Sequence, residues 1–471
     1  MDPEGMLKSV CNAIEIMIEI GARYEGLFPS IIDRKTHRMM TEMPPAIPGQ
    51  RDGDRSHLGC NLIHDEALLR TMYGLAEGLG RPDFSEAADR YLKRFAGHCT
   101  GTPTGIFPWG EHAYWDLVAD GVGDSYLLRN PNRQRRVTHD HLRQAPLWLL
   151  EKLHAFNPAC IERFAEGLNG HWTEGEPLEY IRHAYIEENR PYARGARSCD
   201  FPRHSGFYIF DWAFAYLRTG REDFLGQIDR MLDYWWPRRD ERGLLMTESR
   251  SPEGDSHFRN NAPGQTVSLG ASLLESAGFI EGRLPDLASR MRERGTVYID
   301  GFLAAPHDLG QGIFVLSSSA DTNETRGTMP IWGSKYGVWP ACYIGLVALC
   351  IYRIQQDDRL LAWAEAVGRG YLEEAFPEAV LAPAMDAGLS VGLLADLYEI
   401  TGEAKWLQGG LQLAEKLMAI YMDGDLPRGA SGIDWYESQM GPSFLLHGLA
   451  RIALMARDGK PCPLEADYTA R

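Results

Sequence analysis

The segment "RRVTHDHLRQAPLWLLEKL" at 135–153 sets His139, Asp140 and His141 directly ahead of an apolar helical run. Three titratable side chains at such a place fit a helix cap, a metal site or the rim of an active site. Similar clusters recur at intervals. His64 and Asp65 lie in "GCNLIHDEALL" (59–69), and Trp109, Glu111 and Trp115 in "GIFPWGEHAYWDLVADGVGDS" (105–125). Arg203, His204 and Tyr208 lie in "SCDFPRHSGFY" (198–208); Glu248, His257, Arg259 and Asn260 lie in "LLMTESRSPEGDSHFRNN" (244–261). Trp332, Lys335 and Tyr336 fall in "PIWGSKYGVWPACY" (330–343), and Trp435 and Tyr436 in "IDWYESQMGPS" (433–443).

Carboxylates among tryptophans and tyrosines suit sugar chemistry. A pyranose ring offers an apolar face for stacking and a rim of hydroxyls for His, Asn, Arg and carboxylate partners. Cleaving its glycosidic bond takes two carboxyl groups, one donating a proton and one attacking C1 or activating water. The candidates for that pair are Asp65, Glu111, Asp140 and Glu248. Glu111 is favoured as the acid, because aromatic neighbours raise a carboxyl pKa. Asp65 and Asp140 also stand where N-caps stand, so capping competes with catalysis at both. Glu248 has a bland reading too, as part of a solvated loop. Arg203, Arg259 and Lys335 could meet a substrate carboxylate, or simply pair with a loop Asp.

His139, His141 and His64 could ligate a metal. However, no H-E-x-x-H, no Cys/His cluster and no third ligand at fixed spacing accompanies them, so no metal is expected. No phosphate-binding glycine loop is present, and no cofactor is expected.

These clusters sit at the starts of apolar helices. A small-residue-rich apolar helix, a polar turn and an amphipathic helix recur, as in "FAYLRTGREDFLGQIDRML" (214–232) and "LYEITGEAKWLQGGLQLAEKLM" (397–418). The first helix of each pair begins near Asp65, His141, His204, Gly264, Tyr336 and Asp386, with one more near Gln439. Stretches such as "SLGASLL" are apolar all round and belong inside; "FSEAADRYLKRFA" has one polar face and belongs outside. Inner helices ringed by outer ones make an all-α toroid of six or seven hairpins, forming one domain over 1–471. The long loops then converge on one face, at inner-helix N-termini whose partial positive charge favours an anionic ligand. A strand or two is expected in 100–138 and 300–330.

The 65 acidic residues against 48 basic ones, a net charge of −17, exclude an ordinary nucleic-acid binder. No apolar run spans a bilayer, and the N-terminal segment lacks a signal peptide's apolar core, so a cytoplasmic protein is expected. The sequence marks no oligomer interface and leaves room for a homo-oligomer.

The stretches "GCNLIHDEALLRTMYGLAE", "GIFPWGEHAYWD", "THDHLRQAPLWLLEKL" and "PRHSGFYIFDWAFAYL" resemble the (α/α)-toroid carbohydrate-active enzymes, most of all family 154 glycoside hydrolases, which include β-glucuronidases. The resemblance spans nearly the whole chain and implies hydrolytic removal of a uronic acid residue from an oligosaccharide. It transfers no catalytic residue position by position. The competing reaction on such a toroid is β-elimination, with His139, His141, His204, Tyr208, His257, Arg259 and Asn260 as bases and carboxylate binders. A non-catalytic toroid that binds a glycan or protein is the remaining alternative.

Overall fold

The computed structural model describes residues 2–132, 134–175, 178–191, 200–247, 260–377 and 380–471. Fifteen α-helices occur among them: α1 (Pro3–Gly21), α2 (Leu62–Leu79), α3 (Pro82–Arg94), α4 (Ser125–Arg129), α5 (Leu147–Phe156), α6 (Pro158–Gly167), α7 (Pro202–Thr219) and α8 (Asp223–Trp235). They continue as α9 (Pro263–Ile280), α10 (Pro285–Leu303), α11 (Ala341–Gln355), α12 (Asp358–Glu373), α13 (Ala384–Thr401), α14 (Ala404–Tyr421) and α15 (Pro442–Asp458).

The inner ring is α2, α5, α7, α9, α11, α13 and α15. The outer ring is α3, α6, α8, α10, α12 and α14, with α1 against α15 as the seventh outer member. Of the two hairpin numbers the sequence allows, the structure selects seven. Composition explains the division. α9 and α13 bury residues around almost their full circumference, whereas α8 buries only the stripe Phe224, Ile228, Met231, Leu232, Tyr234 and Trp235. Neighbouring inner helices meet through side chains: Tyr73 on Trp148, His154 on Phe214, Phe210 on Phe279. α13 and α15 approach most closely at Gly388 and Gly448. A Cβ on Gly388 would lie 2.2 Å from the Phe444 backbone, and one on Gly448 would lie 2.4 Å from the Gly388 carbonyl.

Proline starts α7, α9 and α15 at Pro202, Pro263 and Pro442, where a missing N–H costs nothing. Neither Asp65 nor Asp140 is a cap, contrary to the sequence-based alternative. α2 begins three residues before Asp65, and α5 begins only at Leu147.

The loops leading into the inner helices carry more strand than expected, as eleven short pieces. They are β1 (Ile31–Asp33), β2 (Arg38–Met39), β3 (Gly59–Cys60), β4 (Ala113–Asp116), β5 (Gly121–Asp124), β6 (Thr138–Asp140), β7 (His183–Tyr185), β8 (Asn260–Asn261), β9 (Phe314–Ser319), β10 (Thr325–Met329) and β11 (Trp435–Glu437). They form small antiparallel sheets in the orders β11-β1-β2, β3-β4-β5, β6-β7 and β10-β9-β8. At the opposite end, the segment after α15 runs back among the inner helices. Thr469 donates to Glu66 of α2, Tyr468 to Asp396 of α13, and Arg471 pairs with Glu275 of α9. No helix among the described residues is long and apolar enough to cross a membrane.

Candidate active site

The triplet His139-Asp140-His141 is resolved by strand geometry. β6 pairs with β7, setting Asp140 opposite His183 and His139 opposite Ala184. Successive side chains of a strand point to opposite faces, so Asp140 faces the central cavity while His139 and His141 turn away from it. Asp140 Oδ2 accepts a 2.7 Å hydrogen bond from Arg182 Nη1. Around the same carboxylate stand His204 Nδ1 at 3.6 Å, His183 Nε2 at 3.8 Å and His112 Nδ1 at 3.9 Å.

Behind the strand, His139 packs on Trp109 and Phe164, and its Nδ1 lies 3.3 Å from His171 Nε2. Burial, reinforced by neighbouring histidines, holds the His139 imidazole well below its usual pKa. His171 in turn contacts the Tyr208 hydroxyl at 3.2 Å. His141 bridges Asp211 (2.5 Å, through Nε2) and the Arg143 carbonyl (2.7 Å, through Nδ1). That pair anchors the chain just past Asp140.

Glu111 reaches the cavity from a tight turn. Gly110 N–H donates to the Ala113 carbonyl at 2.9 Å, which leaves Glu111 and His112 at the tip. Gly110 has φ +147°, and a Cβ there would lie 2.0 Å from Asn61 Oδ1, so only glycine fits. Glu111 itself has φ +57°, an unusual conformation for a residue with a side chain and one that gathers at functional sites. Burial pushes its carboxyl well above the usual range, and the charges of Asp54 and Asp140 add to this against the opposing Arg182 and Arg143. Asp54 lies 3.2 Å from His112 Nε2 and 3.6 Å from Arg51 Nε. His112 therefore stands between Asp54 and Asp140.

The cavity holds about 600 Å³ at the N-terminal ends of the inner helices. Among the described residues, six cationic side chains line it (Arg51, Arg143, Arg182, Arg203, Lys335 and Arg471) against three carboxylic acids, Asp54, Glu111 and Asp140. That excess inverts the sign of the chain as a whole. Ligand atoms of His112, Asp140 and His183 lie within 4.8 Å of one another, close enough to hold a metal ion. Arg182 donates to the same Asp140 oxygen, so a cation there would meet a guanidinium.

Of the residues singled out from the sequence, the cavity wall contains Glu111, Asp140, His64, Arg203, Lys335 and Tyr336. His204 is buried beside Asp140. Asp65 points elsewhere: it accepts from the Tyr91 hydroxyl at 2.9 Å between α2 and α3, and burial pushes its carboxyl up to about 8. Trp109 is core, and Tyr208 lies behind β6. Trp115 donates to Asp120, Trp332 packs on Tyr371 and Phe376, and Trp435 donates to Glu437. Tyr436 is buried in β11, and Asn260 pairs with Ser319 in the β8–β9 ladder. Glu248, His257 and Arg259 lie outside the described residues.

Sequence reasoning passed over Asp54, His112, Arg143, Arg182 and His183. Two signals were present. His112 directly follows Glu111, and Arg143 lies in the same "HDHLR" stretch that raised the first question.

No family profile matches the chain, and no curated protein matches it. Solved structures share its outline. One is a family 76 α-mannanase from Bacteroides thetaiotaomicron, at 10% identity with 96% of each chain covered and a TM-score of 0.46. Another is an unsaturated glucuronyl hydrolase specific for heparin, at 11% identity over 97% of this chain and 100% of the other, with a TM-score of 0.47. A third is a sugar epimerase from a ruminal bacterium, at 11% identity over 80% and 88%, with a TM-score of 0.49. At these values nothing about the reaction follows from them, and the chemistry rests on the cavity's own residues.

Proposed function

We propose that this protein is a glycoside hydrolase that removes a terminal uronic acid residue of the β-glucuronide type from oligosaccharides or glycoconjugates. The supporting observation is a buried carboxylic acid and an ion-paired carboxylate facing one cavity whose wall is net positive. Glu111, held protonated above the usual carboxyl range, donates its proton to the leaving oxygen. Asp140, fixed by Arg182, attacks C1 or activates the water that does so. The excess of cations suits a substrate that carries its own negative charge.

The test is incubation with glucuronate-terminated oligosaccharides, read by mass spectrometry and ultraviolet absorbance. Release of glucuronic acid with uptake of water, suppressed by Glu111→Gln and by Asp140→Asn, is expected. An absorbing unsaturated product formed without added water would replace hydrolysis with β-elimination.

A further inference from the structure

Arg143 carries a charge that no described carboxylate balances. The residue is 8% exposed, yet among the described residues no carboxylate comes within ion-pair distance of it. Nη2 lies 3.2 Å from His64 Nε2 and 2.8 Å from the Met385 sulfur, and the guanidinium lies 5.0 Å from the centre of the Phe444 ring. Nε and Nη1 have no hydrogen-bond partner among the described residues. The groups that act on it electrostatically are Tyr343, Glu111, Asp467 and Glu66. A guanidinium does not shed its proton to escape burial, and an unpaired buried charge is costly.

Three of the other cations of the cavity have carboxylate partners. Arg182 is bonded to Asp140, Arg51 lies beside Asp54 and bonds Tyr126 and Tyr336, and Arg471 pairs with Glu275. Arg203 donates to the Arg471 carbonyl, and Lys335 is exposed.

The backbone at Arg143 is anchored together with that at Asp140. His141, clamped on Asp211, binds the Arg143 carbonyl, so one anchored segment carries both residues into the cavity. Glu111 lies near enough to feel the Arg143 charge. On a uronate ring the carboxylate is carried by C5, and C5 is joined to C1 through the ring oxygen, so a receptor for it must stand beside the catalytic pair.

We propose that Arg143 is the receptor for the substrate's carboxylate and selects uronides over neutral hexosides. The choice of glucuronate as probe rests on the function proposed above; recognition of the anion is a separate claim. A neutral hexoside leaves the buried guanidinium unpaired, and a site built around a polar partner rejects ligands that lack one.

Glucuronate and glucose are titrated calorimetrically into the wild-type protein and the Arg143→Met variant, and ligand-free melting is compared. The variant is expected to lose about 100-fold or more in glucuronate affinity, with glucose unchanged. Its ligand-free melting temperature should equal or exceed wild type, because the substitution removes an uncompensated charge. An undiminished glucuronate preference, an equal loss for both sugars, or an unfolded variant would each overturn the proposal. Arg143-dependent glucuronate binding without cleavage of any glucuronide would leave the receptor standing and remove the hydrolase. Cleavage whose glucuronide preference survives Arg143→Met would do the reverse.

Discussion

Replacing Asp65 by Asn should make the protein more stable at neutral pH and less stable in acid. Asp65 is 1% exposed, and its carboxyl titrates at about 8 instead of 3.8 because burial penalises the charged form more than the Tyr91 hydroxyl favours it. A carboxyl raised on folding stays protonated in the native state while the unfolded chain ionises, so wild-type stability falls as pH rises from about 4 toward 8. At pH 7 the interval is about three units, and at about 1.36 kcal/mol per unit it amounts to roughly 4 kcal/mol. Asn removes that term entirely. It also places an amide N–H₂ where Oδ1 has no partner, a penalty of about 1–3 kcal/mol that does not vary with pH.

The variant should therefore be weaker by about 1–3 kcal/mol near pH 4 and stronger by a similar margin at pH 7. Urea unfolding followed by circular dichroism at pH 4.5, 5.5 and 7 measures both arms, since other groups titrate equally in the two proteins. A difference that stays constant with pH would refute the reasoning, because it would mean that Asp65 is ionised in the native state. Turnover should survive the substitution, as Asp65 faces Tyr91 and not the cavity. A large loss of activity would return Asp65 to the catalytic pair.

Three further outcomes follow from the site and its supports. A general acid works only when protonated, so the raised Glu111 pKa predicts activity that persists well above the ordinary carboxyl range and falls as pH rises through the Glu111 value. In Glu111→Gln that basic limb should vanish, with a loss of about 10²–10⁴ on substrates with poor leaving groups and less on nitrophenyl glycosides. Gly110→Ala should lower kcat more than it raises KM, because its Cβ would collide with Asn61 and shift the turn that aims Glu111; unchanged kcat in steady-state assays would contradict this. Arg55→Met should destabilise the fold by about 3–5 kcal/mol in denaturant titrations, because it strands Glu437, which is 1% exposed and bonded to Arg55 at 2.6 and 2.8 Å. Adding Glu437→Leu should recover most of that loss.

The toroid was legible because its signals are local. An all-round apolar helix such as "SLGASLL" must be packed on every side, and a one-faced helix such as "DFLGQIDRMLDYW" only on one. Glu111 and Asp140 were legible as polar groups in loops that precede inner helices. What each residue of a cluster faces was not. The histidines beside Asp140 looked equivalent to it, yet pairing of β6 with a strand some forty residues later turns them to the opposite face. Asp65 and Glu111 are both buried carboxyls in polar-looking stretches, and only the rotation of α2 about its axis sends one to Tyr91, while the turn at Gly110 sends the other to the cavity.

Asp54, Arg143 and the adjacent pair Arg182 and His183 come from three separate loops, and neither Asp54 nor the Arg182–His183 pair has a distinctive local sequence. The sequence by itself determined the helices, their inner or outer place and the acidic balance of the chain. The tertiary structure alone decided which charges meet, which are buried and which lack a partner. Helical periodicity is set by residues three and four apart, whereas the energy of a charge depends on the groups and the water that the whole fold places around it.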